Sequence, residues 1–70
     1  MKRPFTAVVK QDGKWWIGWI EEVPGVNCQG RTKKELLDNL RSALEEMLKL
    51  NREEALKAAP EDYTEESILV

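Results

Sequence analysis

Histidine is absent from this 70-residue chain, and cysteine, phenylalanine and tyrosine each occur once. Without an imidazole the commonest general base is missing, and with it the serine and cysteine triads that need a ring nitrogen beside the nucleophile. The single cysteine, Cys28, excludes an internal disulfide, and a zinc site would have to be assembled from one thiolate and carboxylates. Long apolar runs are missing too. No stretch approaches the roughly 18–20 residues of a membrane span, and the opening Met-Lys-Arg-Pro-Phe-Thr lacks the apolar core of a signal peptide. These absences predict a cytoplasmic, soluble, non-catalytic protein with no metal, no cofactor and no membrane partner.

The length predicts a single domain over residues 1–70, near the lower limit for independent folding. A core of this size rarely supplies more than about 3–5 kcal/mol. With disulfides and metals set aside, association with a partner surface or with further copies of the chain is the expected source of added stability. Charge is uneven along the chain. Residues 1–31 hold five bases against three acids, and residues 32–70 hold six bases against ten acids, for a net charge of −2. That balance does not suit a dedicated nucleic-acid binder, which needs many Lys and Arg contacts to phosphate, and it fits a basic partner better.

Residues 4–10 alternate Phe5, Ala7 and Val9 against Thr6, Val8 and Lys10, the pattern of a first strand. Asp12-Gly13 tolerates the positive φ of a type I′ turn and predicts a hairpin into a second strand, Lys14 to Ile20. This second strand is apolar on both faces, with Trp15, Ile17 and Trp19 on one and Trp16 and Ile20 around Gly18 on the other. Glu21 to Gly25 reads as a loop built on the Pro24-Gly25 turn, and Val26 to Gln29 as a short third strand ended by Gly30. Thr32 and Glu35 form a capping box that starts a helix, whose apolar positions Leu36, Leu37, Leu40, Ala43, Leu44, Met47 and Leu48 recur at three- and four-residue spacing to about Leu50. Arg41–Glu45 and Glu45–Lys49 are spaced as i,i+4 pairs on its polar side. Beyond Leu50, either Asn51 and Glu54 cap a second helical turn that Pro60 stops, or the first helix continues. Ser67 to Val70 is a β-prone run that predicts a fourth strand. The order β-β-β-α-β is that of an α+β two-layer domain.

Trp15, Trp16 and Trp19 have three uses open to them: core filling with self-association, anchoring of a partner, and base stacking. Only Lys10 and Lys14 lie near enough to hold phosphate, so direct nucleic-acid binding is not expected. Cys28 has no basic neighbour in its strand and reads as a small half-buried residue without chemistry. Lys33 and Lys34 stand in the first helical turn, where positive charge opposes the helix dipole. Glu53, Glu54, Glu61, Asp62, Glu65 and Glu66 against Lys57 make the C-terminal stretch acidic, either as a solvated face or as a surface that steers a basic partner.

A strand hairpin, then Val-Pro-Gly-Val-Asn-Cys-Gln-Gly-Arg-Thr over 23–32, then a helix with Glu35 early and Ala43-Leu44 late, resembles the HicB-type antitoxin family across roughly residues 4–50. Pro24-Gly25, Gln29-Gly30, Thr32, Glu35 and Ala43 fall together at the family's spacing. The resemblance implies a partial ribonuclease H-like fold that is not a nuclease. It also implies an antitoxin that binds and blocks a small basic mRNA ribonuclease, a HicA-like toxin, and it leaves open an orphan self-associating module with a regulatory or scaffolding role. Fuller members add a C-terminal DNA-binding segment, and since this chain stops at Val70 the expectation is a short form without one. Ribonuclease H-type hydrolysis needs carboxylates converging on two metal ions about 3.5–4 Å apart, for which the sheet offers only Asp12, Glu21 and Glu22. The expected partner-binding residues are therefore Trp15, Trp16 and Trp19 for apolar contact and Glu61, Asp62, Glu65 and Glu66 for electrostatic contact.

Overall fold

The computed structural model describes residues 5–68. They form β1 (Ala7–Asp12), β2 (Trp15–Ile20), β3 (Asn27–Gly30) and α1 (Lys33–Lys57). The strands make one antiparallel sheet in the order β1-β2-β3, and α1 lies across one face of it, an α+β two-layer arrangement. β1 runs two residues further toward the hairpin than its alternation implies, because Asp12 pairs with Trp15 and the connection is Gly13-Lys14. Among the described residues only Gly13 and Gly25 have positive φ. Glycine at φ 63° followed by a lysine at negative φ is the pattern of a type II′ turn, not the type I′ turn centred on Asp12-Gly13.

The core is small. Ile20 from β2, Val23 and Val26 from the loop, and Leu36 and Leu40 from α1 are buried, and Ala7, Val9, Trp16, Cys28, Ala43, Leu44 and Met47 pack around them. The Pro24-Gly25 turn folds this loop under the sheet, with Gly25 at φ 90°. Ile20 N–H donates to the Val26 carbonyl at 3.0 Å, and Glu21 N–H to the Thr6 carbonyl at 2.9 Å. Two valines of the segment between β2 and β3 thereby become two of the five buried apolar residues.

Thr32 caps α1 as its sequence position predicts, its Oγ1 accepting from Glu35 N–H at 3.0 Å. The return half of the capping box is displaced by one residue, since the Glu35 carboxylate accepts from Arg31 N–H at 3.4 Å. The ion pair at helical spacing is Lys34–Asp38, at 3.2 Å, and neither Arg41–Glu45 nor Glu45–Lys49 closes to that distance. That pair places a carboxylate against one of the two lysines that oppose the helix dipole.

Of the two routes open beyond Leu50, the chain takes the continuous one, and α1 is a single helix of 25 residues, about 37 Å long. Ala58 closes it in an αR conformation, and Pro60 prevents a further turn. Met47 is the last helical residue to pack on the core, so the part of α1 beyond it projects past the sheet and leaves Leu48 and Leu50 exposed. The molecule is accordingly elongated, with a radius of gyration of 15.3 Å against about 11 Å for a compact chain of this length. Its accessible surface of 6255 Å² exceeds the roughly 4,500 Å² expected of a compact 8.1 kDa monomer. The predicted fourth strand is not formed by Ser67 and Ile68, which are in no strand, and Leu69 and Val70 lie outside the described residues.

Candidate interaction surface

Strand alternation divides the three tryptophans between the two faces of the sheet. Ala7, Val9, Trp16, Ile20 and Cys28 face α1. The opposite face holds Val8, Lys10 and Asp12 from β1, Trp15, Ile17 and Trp19 from β2, and Asn27 and Gln29 from β3. No element of the described residues covers it. Trp15 and Trp19 keep 42% and 44% of their surface in solvent, whereas Trp16 is half-buried in the helix side of the fold. Of the three tryptophans expected to make outside contacts, two therefore stand on one open surface and one is taken up by packing.

The register arranges this face as three rows across the strands: Val8–Trp19–Asn27, Lys10–Ile17–Gln29, and Asp12–Trp15. Arg31 extends the last row, its guanidinium carbon lying 6.0 Å from the centre of the Trp15 ring, a cation–π distance. A tryptophan and isoleucine stripe thus runs along β2 with polar and charged groups on both flanks. A shallow depression lies between Ile17 and Trp19 on one side and Asn27 and Gln29 on the other. Arg31 was not among the sequence-derived contact residues. Its signal was the register of β3, which puts residue 31 opposite residue 15.

β3 is an edge strand, and one of its outward groups is already occupied. Ile20 N–H bonds to the Val26 carbonyl, so by alternation the Gly18–Cys28 pair bonds inward and Asn27 and Gln29 turn their backbone groups outward. Asn39 of α1 donates its side-chain amide to the Gln29 carbonyl at 3.1 Å. This bond blunts the edge against strand addition.

The acidic residues fall at the far end of the molecule. Glu61, Asp62, Glu65 and Glu66 are exposed on the segment after Pro60, and Tyr63 N–H donates to the Pro60 carbonyl at 3.2 Å. Arg52 holds Glu65 at 3.3 Å, tying this segment back to the projecting helix. The sequence-derived contact residues therefore form two surfaces, a sheet face with Trp15 and Trp19 and an acidic end. Asp12 stands at the hairpin end of the sheet, and Glu21 and Glu22 at the other, about 20 Å away by strand rise, with a Glu22 carboxylate oxygen accepting from Thr6 N–H at 2.7 Å. These three carboxylates do not converge.

No protein-family model and no solved structure matches the chain. The UPF0150 protein ssl0738 of Synechocystis sp. (strain ATCC 27184 / PCC 6803 / Kazusa) is 35% identical to it over 72 residues, covering 100% of this chain and 99% of that protein. A likeness of that extent includes the hairpin, the Pro-Gly loop and the whole of α1, and the chain belongs to the UPF0150 family.

Proposed function

We propose that this chain is the non-catalytic antitoxin of a toxin–antitoxin pair, a cytoplasmic protein that binds a small basic mRNA ribonuclease and blocks its active site. UPF0150 is the HicB-like family, which agrees with the resemblance carried by residues 23–48. The observation that supports the reading most directly is the acidic end. Glu61, Asp62 and Glu66 are exposed on the segment after Pro60, a cluster of negative charge open to a basic partner. Complementary charge of this kind raises the association rate more than the affinity.

A second reading, an orphan self-associating module with a regulatory or scaffolding role, is favoured by a different observation. The open sheet face carries Lys10 and Arg31 beside its tryptophans, charges that do not suit a basic partner.

Affinity capture of the tagged chain from its native cells, followed by intact mass spectrometry, tests the first reading. It predicts a stoichiometric companion that is small and basic. Recovery of the chain with itself alone contradicts it and transfers the weight to the second reading.

A further inference from the structure

We propose that the open face of the sheet is the seat of a second copy of this chain, the two faces packing about a two-fold axis that runs along β2. The proposal stands whether or not a ribonuclease is bound at the acidic end, and it gives self-association a surface and a symmetry.

The rows of that face decide which operator fits. Rotation about an axis along β2 keeps each row against the same row of the partner and exchanges the β1 flank with the β3 flank. Trp15, Ile17 and Trp19 then meet their own counterparts along the stripe. Asp12 of one copy faces Arg31 of the other, twice over by symmetry, and Lys10 faces the side-chain amide oxygen of Gln29. The other two-fold considered, in the plane and perpendicular to the strands, sets Asp12 opposite Val8 and Arg31 opposite Asn27, pairs no opposite charges and brings Lys10 against its own counterpart. The face is therefore self-complementary under one operator and not under the alternative.

Aligned sheets pack about 10 Å apart and cross at about −30°. Under a two-fold the crossing is twice the angle between β2 and the axis, so the axis lies about 15° off β2; the corner residues shift by a few ångströms, which the length of an arginine side chain absorbs. Arg31 already lies beside Trp15, its guanidinium carbon 6.0 Å from the ring centre, and a guanidinium at that corner can take a carboxylate in a bidentate pair. The alternative of edge-to-edge pairing is opposed at β3 by the Asn39 bond to the Gln29 carbonyl. A face of about 20 by 15 Å buries only about 600 Å² over both copies, below the standard size of specific interfaces, so the dimer is a weak one. Its two half-exposed tryptophans supply most of the apolar area, and the dimer is expected to dissociate on dilution.

Sedimentation over a dilution series, at low salt, tests the proposal with Asp12→Arg, Arg31→Asp and the double exchange. Each single reversal sets like charges against each other and should weaken the dimer about tenfold or more, while the double exchange restores it. Circular dichroism checks that the variants keep the fold, and Trp19→Lys, a second disruption remote from the helix start, should also give monomer. A wild-type chain that is monomeric at every concentration overturns the proposal. So does a dimer indifferent to the single reversals or not restored by the exchange, in which case self-association survives but uses another surface.

Discussion

Leu36 is fully buried at the start of α1 and sits directly against Gly30, where a Cβ on the glycine would lie 2.7 Å from the Leu36 backbone nitrogen and 3.1 Å from its Cα. Backbone on both sides of that contact cannot step aside as a side chain can, so glycine is what allows β3 to turn into the helix with no gap between the layers. Gly30→Ala is expected to cost about 1–3 kcal/mol for that reason, and Leu36→Ala about 2–5 kcal/mol through lost burial and the cavity left behind. Leu50→Ala, on the projecting half of the helix with 49% of its surface exposed, should stay within about 0.5 kcal/mol. Urea denaturation of the three variants checks the order, and a Leu50 variant as damaging as Leu36→Ala would show that the core is drawn in the wrong place. Thr32 as a cap and Pro24-Gly25 as a turn were legible in the sequence because each is satisfied by neighbours within three residues. The Gly13-Lys14 turn lies one residue beyond the Asp12-Gly13 position that the dipeptide suggests, because it is set by which residue of β2 faces Asp12, a property of pairing and not of the dipeptide.

At the scale of elements, the length of α1 was open in the sequence because Asn51 and Glu54 carry a weak cap pattern inside a run of good helix formers. The continuous helix prevails because no residue before Pro60 breaks it, and starting a second helix would require a new nucleus. Continuity does not make the helix uniform. Residues as far as Met47 pack on the core, whereas from Leu48 to Lys57 every residue but the half-buried Leu56 is exposed, with the Arg52–Glu65 pair tying this part to the segment after Pro60. Hydrogen exchange should divide accordingly, with amides near Leu40 opening only with the whole domain and amides beyond Leu50 exchanging many-fold faster. Uniform protection along the helix would mean that something covers its far half. The division of the tryptophans was legible as a division, since strand neighbours must point oppositely. Which set met the helix was not, because β2 is apolar on both faces and only the packing of α1 against Trp16, Gly18 and Ile20 decides it.

At the scale of the whole molecule, the buried apolar set among the described residues is five and the accessible surface is that of a chain with more to bury. Two surfaces of different chemistry stand apart: a sheet face with tryptophans and mixed charge, and an acidic end built on the segment after Pro60. On the two proposals above they take different partners, a second copy on the face and a basic ribonuclease at the end. Replacing Glu61, Asp62, Glu65 and Glu66 by lysine should slow association with a basic partner by about tenfold or more at low salt and flatten its salt dependence. Self-association on the sheet face should be unchanged. Stopped-flow association rates across ionic strength read the first effect, and sedimentation reads the second.

The most direct measurement is the mRNA cleavage rate of the captured companion, freed from the complex by denaturation and refolded, as the pure chain is titrated back. The expected result is a ribonuclease that falls silent at a one-to-one ratio with this chain, because its active site is covered. A companion with no ribonuclease activity when freed, or one that stays active with the chain bound, would contradict it.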